Sequence, residues 1–569
     1  MLRPIGDYVR AIREVTEDAR REAAQAGPQV DGVRVYWGSL ARDGDVLCVA
    51  ADVEGKPSLL RCGAAGVAVR PFGPGDREAV RDFAERIDRA FLPRPQRDRP
   101  AVAVGNRHPE ISLPAVFEAF GRVLEEKGVN MASTVQLSAT REMTTDARLA
   151  GRTGENPTEL GHTRVSIEHL FHAGLWAAIR AGWRHGYNAE ADHFIISGAD
   201  DREIARSIEQ TKEAIRAAAG YTKFTTDTSR LFKLEADGRH PRAWTDAEVE
   251  AHWERVLTAE ERKWVLGEFG AGVEIAGKKH EFGEREIRRL AVKFAESLKL
   301  NEQLYDYIVE VKGSRDFDFE PSIDEAETLT TAQELIFYMH WLAGRGRRAQ
   351  LVPPNLGFKK RQAYPETLER LEQYVAHKMW PELAPRVGRE FGGKPLQELG
   401  ARVRELAEVA RHFDGTLSIH SGSGKQASVL QMIGQSTAGR VNYKISGELQ
   451  LELLDVLAEQ PPGSPWRGLY ERMVDRCVQF AQAGAFGEES ELAAVYRDRG
   501  LAYYLGDYNK GRVEGNLFLV FWLGNLVGTR DQDGRFFKEK LDELPSELVE
   551  EVRRRNTGYI VWLAGEVLG

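Results

Sequence analysis

The sequence predicts an α/β fold: a (β/α)8 barrel of the TIM type, preceded by a small α+β domain and followed by a helical segment. Three observations predict it. Between residues 101 and 446, eight short β-like runs occur, most of them separated by longer helical stretches. Strand–helix repetition builds a parallel sheet, and eight strands is the number that closes such a barrel. Ahead of this block lie short strands and turns, while beyond "EQPPGSPW" (459–466) the pattern is helical without further strand alternation. A doubly wound open sheet is the alternative. The expected units are residues 1–95, 96–458 and 459–569.

In chain order, "VRVYWGSL", "DVLCVAADV", "PSLLRC" and "GVAVRPF" give strands within 33–72, followed by a charged helix at 75–90 and the proline-rich connector "LPRPQRDRP" (92–100). The barrel strands are read at 101–107, 133–140, 192–197, 221–227, 317–324, 349–355, 416–420 and 440–446. Helices are expected at 164–181, 201–219, 283–311, 328–343, 366–378 and 396–412. The most apolar stretch, "NLFLVFWLGNLV" (516–527), is shorter than the roughly 20 residues of a membrane span and reads as a buried helix.

The composition narrows the function. With 42% hydrophobic and 29% charged residues the chain reads as an ordinary soluble protein. A net charge of −9 and a pI near 5.9 do not point to a nucleic-acid partner, and "GRGRRAQ" (344–350) reads as solvated helix ends. Three scattered cysteines, Cys48, Cys62 and Cys477, make neither a disulfide framework nor a cysteine-rich zinc site. The charged N-terminus carries no apolar signal core. A cytoplasmic protein acting on a small molecule, without a membrane or nucleic-acid partner, is expected, and a homo-oligomer is compatible with it.

The chemistry is sought first in "FDGTLSIHSGSGKQ" (413–426). It is not a P-loop, because Gly424-Lys425 is followed by Gln426 and no glycine stands five residues before Gly424. Strand alternation supplies a better reading. In "FDFEPSID", Phe317 and Phe319 suit the outer helix layer, which turns Asp318 and Glu320 toward the barrel axis. In "TLSIH", Ser418 and His420 point inward; in "RVNYKIS", Asn442, Lys444 and Ser446 do. The inward faces of three strands are thus polar, at the end where such barrels place their active sites. Histidine with Asp or Glu is a ligand set for a divalent metal with an open position, and a satisfied structural histidine is the alternative. Asp192 and His193 form a further pair, and both reach one site only where the strand is irregular. His169 and His172 in "EHLFH" read as structural or surface residues, and no G-x-S-x-G elbow is present.

"EADHF", "DFDFEPSIDEAET", "LSIHSGSGK" and a later "NYKISG" resemble the tagaturonate epimerase family, as do "GRTGE" (151–155) and the strand bearing Gln136. The resemblance runs from about residue 30 to 460, and its specific element is D-F-D-F-E-x-S-[IV]-D-E combined with H-S-G-S. It implies a metal-dependent epimerase interconverting D-tagaturonate and D-fructuronate, with Asp192 as proton acceptor, Glu320 as proton donor, and His193 and His420 as metal ligands. The implied cofactor is a divalent cation such as zinc, manganese, nickel or cobalt. Gln136, Lys425, Lys444 and Asn442 are expected around the sugar acid, the two lysines toward its carboxylate. The family reading also implies that the glycines of H-S-G-S-G let the backbone approach the substrate. The chain departs from the pattern at Asn442, where a histidine is expected, at Gly424, where an aspartate is, and in "GNRHPE", where Asn106 stands for aspartate. It carries extra length at 153–172 and 232–280. Two other readings stay open: a sugar isomerase or aldolase using the same site, and a barrel that binds a sugar acid without turnover.

Overall fold

The computed structural model describes residues 29–568, outside breaks of at most five residues and two longer ones at 368–393 and 483–522. Strand β1 (Gln29–Asp31) pairs antiparallel with β2 (Arg34–Tyr36). Strands β3 (Leu40–Asp43), β4 (Val46–Val53), β5 (Lys56–Gly63) and β6 (Gly66–Pro71) form an antiparallel sheet in chain order. Helix α1 (Arg77–Arg86) turns Val80, Phe83 and Ala84 inward, where the Phe83 ring stacks on Phe72 at 4.8 Å.

Eight strands then make one parallel sheet. They are β7 (Ala101–Gly105), β8 (Ala132–Gln136), β9 (Tyr187–Ile195), β10 (Lys223–Asp227), β13 (Asp318–Pro321), β14 (Leu351–Val352), β15 (Thr416–Ile419) and β16 (Val441–Ile445); β11 (Val273–Ile275) and β12 (Lys278–His280) form a separate hairpin between β10 and β13. The order β13-β10-β9-β8-β7-β16-β15-β14 follows the chain outward from β7 on one side and back from β16 on the other. Every ladder in it is parallel. Among the described residues no ladder joins the end strands β13 and β14, but the Gln350 amide donates to the Phe319 carbonyl at 3.0 Å. The Gln350 side chain answers by accepting from the Phe319 amide at 2.8 Å.

All eight expected strands are present. The largest difference is β9, which starts at Tyr187 rather than at 192 because "YNAEA" already alternates, with small alanines too weak to advertise an apolar face. Strand β14 keeps two residues of the seven expected, since prolines 353 and 354 cannot donate to a ladder.

The linking helices are α2 (Pro109–Lys127), α3 (Ile167–Ala181), α4 (Asp201–Ala217), α5 (Asp246–Val256), α6 (Ala259–Gly270), α7 (Glu284–Lys312), α8 (Ala332–Gly344), α9 (Pro395–His412), α10 (Ala427–Thr437) and α11 (Glu448–Ala458). Their starts are written locally: Ser166 accepts from the His169 amide at 2.9 Å, and Thr331 with Glu334 forms a reciprocal capping box. Outward strand residues, among them Phe224, Phe319, Ile419 and Tyr443, are buried beneath these helices in one continuous core. Each such side chain contributes about 1.5–3 kcal/mol. The extra length at 232–280 folds as α5, α6 and the β11–β12 hairpin.

Beyond the sheet come α12 (Pro465–Gln482) and α13 (Ser546–Leu568), and α13 packs on α2 and α10. The expected helix at 366–378 falls almost wholly outside the described residues, as do residues 516–522 of the apolar stretch. Residues Leu523–Gly528 form a 3-10 segment. Among the described residues, no helix is long and apolar enough to cross a membrane.

Candidate active site

The inward faces of the strands are polar in two levels. In the lower one, Asp318 accepts hydrogen bonds from the amides of Gln96 (2.8 Å) and Arg97 (2.9 Å) and from the Asn188 side chain (2.9 Å). This carboxylate ties the connector to the floor of the sheet, and burial pushes its pKa up. Asn442 lies level with Ser418, and its amide donates to the Ser418 hydroxyl at 2.9 Å.

Above this floor, Lys444 Nζ lies 2.6 Å from Glu190, 2.6 Å from Asp192 and 2.5 Å from Glu320. Lys223 Nζ spans the far oxygens of Glu190 (3.0 Å) and Glu320 (2.8 Å), and Thr225 donates to Glu190 at 2.8 Å. None of these five charged side chains is more than 6% exposed. Burial raises the Asp192 pKa, but the charges of His193 and Lys444 outweigh it and hold the carboxyl well below its usual range. Burial is likewise outweighed at Glu320, by Lys223, Lys444 and His420. Burying so many charges costs more than an apolar core would, which makes the group a candidate site.

The irregularity that the adjacent pair Asp192–His193 demands is present. The β9–β10 register passes from Ala191↔Phe224 to Phe194↔Thr226, so β9 carries one residue more than its partner. His193 takes up that residue with φ 47°, in the left-handed region. The bulge brings both side chains to one end of the sheet: His193 Nδ1 lies 2.7 Å from Asp192, and the His193 and His420 rings are 5.0 Å apart. His420 Nε2 meets Glu320 at 2.9 Å, and Nδ1 lies 3.2 Å from Asp324. Burial disfavours a charge on His420, yet Asp324 outweighs it and pushes the pKa up to about 9.

Among the described residues, three groups place three potential metal donors within 4.8 Å of one another. Glu190–Asp192–Glu320 encloses the Lys444 ammonium. His108–Glu110–Asp542 has the Lys538 ammonium 3.2 Å from both acids. His193–Asp324–His420 offers two imidazoles and a carboxylate, and among the described residues Asp324 pairs with His420 and Ser322, not with a lysine or arginine. That donor set suits a divalent transition metal with an open position.

Of the residues singled out in the sequence, Asp192, His193, Glu320, His420 and Lys444 converge. Lys444 has carboxylates as partners, not an open face toward a substrate carboxylate. Lys425 lies over the Phe358 ring at 5.3 Å, and Gln136 ends β8. Asn442 stays one level down, 1% exposed. The close approach at Gly422 is to protein: a Cβ there would stand 2.5 Å from the Tyr443 ring, whose hydroxyl donates to the Gly422 carbonyl at 2.7 Å. Sequence reasoning missed Glu190, Lys223, Thr225 and Asp324. The first three share the inward alternation of "YNAEAD" and "KFTTD", a signal available to the rule already used on other strands. Asp324 follows the strand end, where alternation no longer applies.

Residues 136–379 match the family described as tagaturonate epimerase, a span that holds Asp192, His193, Glu320 and Asp324. The tagaturonate/fructuronate epimerase of Thermotoga maritima is 26% identical over 306 residues, 53% of this chain and 52% of that protein. The chain therefore spans about half the length of the curated relative it matches. The native fructuronate-tagaturonate epimerase of Cohnella laeviribosi superposes with TM-score 0.59 and 19% identity, covering 93% of this chain and 95% of that one. The same protein with two glycerols gives TM-score 0.58 and 19% identity, covering 93% and 94%. These likenesses show a mixed α/β fold with a parallel sheet, and the family resemblance noted in the sequence is shown by the matches.

Proposed function

We propose that the chain is a divalent-metal-dependent epimerase that interconverts D-tagaturonate and D-fructuronate, a cytoplasmic enzyme built as a (β/α)8 barrel closed across the β13–β14 seam. The observation that carries the reading is Asp192 and Glu320 flanking one ammonium, at 2.6 and 2.5 Å, beside two histidines at the C-terminal ends of parallel strands. The matched family and the activity named for the Thermotoga maritima relative support the substrate class.

The carbon inverted in this reaction is β to the ketone, so enolisation alone leaves it untouched. A retro-aldol step breaks the bond between that carbon and the α carbon, the resulting aldehyde turns, and the bond re-forms on its other face. Asp192, held ionised, takes the hydroxyl proton of the cleaving carbon; Glu320, also held ionised, takes a proton from the His420 Nε2–H 2.9 Å away and returns it on the opposite face. Lys444, Lys223 and Thr225 hold the two carboxylates in place, so neither has to reorganise as charge moves. His193 and His420 are the expected metal ligands, and a bound metal would polarise the ketone as a Lewis acid.

The test is a product assay on purified protein with D-tagaturonate, after chelation and again with added zinc, manganese, nickel or cobalt. Metal-restored D-fructuronate is the expected result. A separable three-carbon fragment would mean an aldolase, and transfer of hydrogen between adjacent carbons without inversion an isomerase. Silence with every metal from folded protein would leave the non-catalytic reading.

A further inference from the structure

We propose that Asp324 is the third protein ligand of the metal, completing a two-histidine, one-carboxylate set with His193 and His420, and that position 442 takes no part. The inference rests on the metal-dependent reading above and adds a residue that neither the motif spelling nor the matches assign.

The two oxygens of Asp324 have different duties. Oδ1 accepts a hydrogen bond from the Ser322 hydroxyl, which fixes the carboxylate plane. Oδ2 is turned to His420 Nδ1 at 3.2 Å. Nδ1 is buried, and its short approach to Asp324 is an ion pair rather than an aligned hydrogen bond. Donors sharing one ion at about 2.1 Å stand about 3.0–3.4 Å apart, and the Asp324–His420 spacing falls in that interval. The other imidazole nitrogen meets Glu320 at 2.9 Å, an outer contact of the kind that orients a ligating histidine and leaves its inner lone pair for a cation.

The surroundings separate this trio from the two other donor groups. Lysine ammonium groups already neutralise the carboxylates of Glu190, Asp192 and Glu320, and those of Glu110 and Asp542. Asp324 is matched by imidazoles. His193 and Asp324 are also partly exposed while His420 is buried, so the group opens on one side, as a metal that must also reach substrate requires.

Position 442 fails on height. Asn442 is level with Ser418, two residues below His420 on the neighbouring strand, a drop of about 6–7 Å. Its side-chain nitrogen donates to the Ser418 hydroxyl, and its buried Oδ1, which has no hydrogen-bond partner among the described residues, lies on that same lower level. A metal held by His193 and His420 therefore draws its carboxylate from the loop after β13. An N2O set of this kind favours a first-row transition ion over calcium or magnesium.

The experiment uses cobalt(II) and the full chain, read by visible absorption and calorimetry rather than by turnover. Chelated wild type is expected to bind one cobalt. D324A should weaken binding by more than about 100-fold, beyond the loss typical of outer contacts, while N442A stays within a few-fold of wild type. Because misfolding of D324A would also weaken binding, D324C supplies a direct readout: a thiolate-to-cobalt charge-transfer band appears if residue 324 is bonded to the ion. N442C should lack that band. Cobalt binding by wild type with no band in D324C and no loss in D324A overturns the assignment alone. A band in N442C overturns it in favour of position 442. Failure of wild type to bind any cobalt overturns the metal-dependent reading itself.

Discussion

At the scale of single residues, the site is governed by which charges face each other at close range. Glu320 touches Lys223, Lys444 and His420, all within 3 Å. Its proposed role as proton donor predicts that Glu320→Gln lowers kcat by about 100- to 10,000-fold. Ligand affinity, measured by calorimetry with D-tagaturonate, should change far less. A binding-only protein would have no turnover to lose. The charge on His420 gives a second prediction. Its pKa in the folded protein, about 9, lies above the ordinary histidine value, so its contribution is fully present below about pH 6.5 and is lost as pH rises through 9. For Asp192 and Glu320 the sign is opposite: their depressed values stabilise above the ordinary carboxylate range and lose that effect in acid. Chelated wild type should therefore lose up to about 3 kcal/mol more than His420→Gln between pH 6.5 and 9. Thermal melts of both proteins across that interval would check it. The charged inward residues were legible one strand at a time, but their pairings were not, because alternation gives a facing and no partner.

At the scale of elements, the bulge in β9 is the decisive device. A regular strand sends residues 192 and 193 to opposite faces, and one inserted residue at positive φ brings them together. Asparagine tolerates the left-handed region and a β-branched residue does not. His193→Val should therefore be about 1–2 kcal/mol less stable than His193→Asn, although both remove the imidazole. Urea denaturation of the two variants isolates the backbone contribution, and equal midpoints would mean that the bulge relaxes. The need for an irregularity was readable in the adjacency of Asp192 and His193. Its form was not, since the extra residue exists only relative to the β10 partner.

At the scale of the whole molecule, the floor of the sheet is tied to the chain that enters it. Asp318 holds the connector amides of Gln96 and Arg97, and its removal strands two backbone donors and the Asn188 amide. Asp318→Ala should cost about 2–4 kcal/mol and expose the connector. Trypsin cleavage at Arg97 or Arg99 would then precede global unfolding; unchanged protection would show that the connector is held elsewhere. What the sequence determined by itself is the periodic part: the succession of strands and helices, and the polar inward faces that carry Asp192, Glu320 and His420. Each of these depends on short-range alternation and local spelling, which neighbours along the chain enforce. Tertiary structure alone decided that Lys444 faces acids, that Asn442 sits a level too low, that Gly422 accommodates the Tyr443 ring, and that Asp324 reaches His420. Those facts depend on register between strands far apart in sequence, and register is set only when the helices bury the outward faces together.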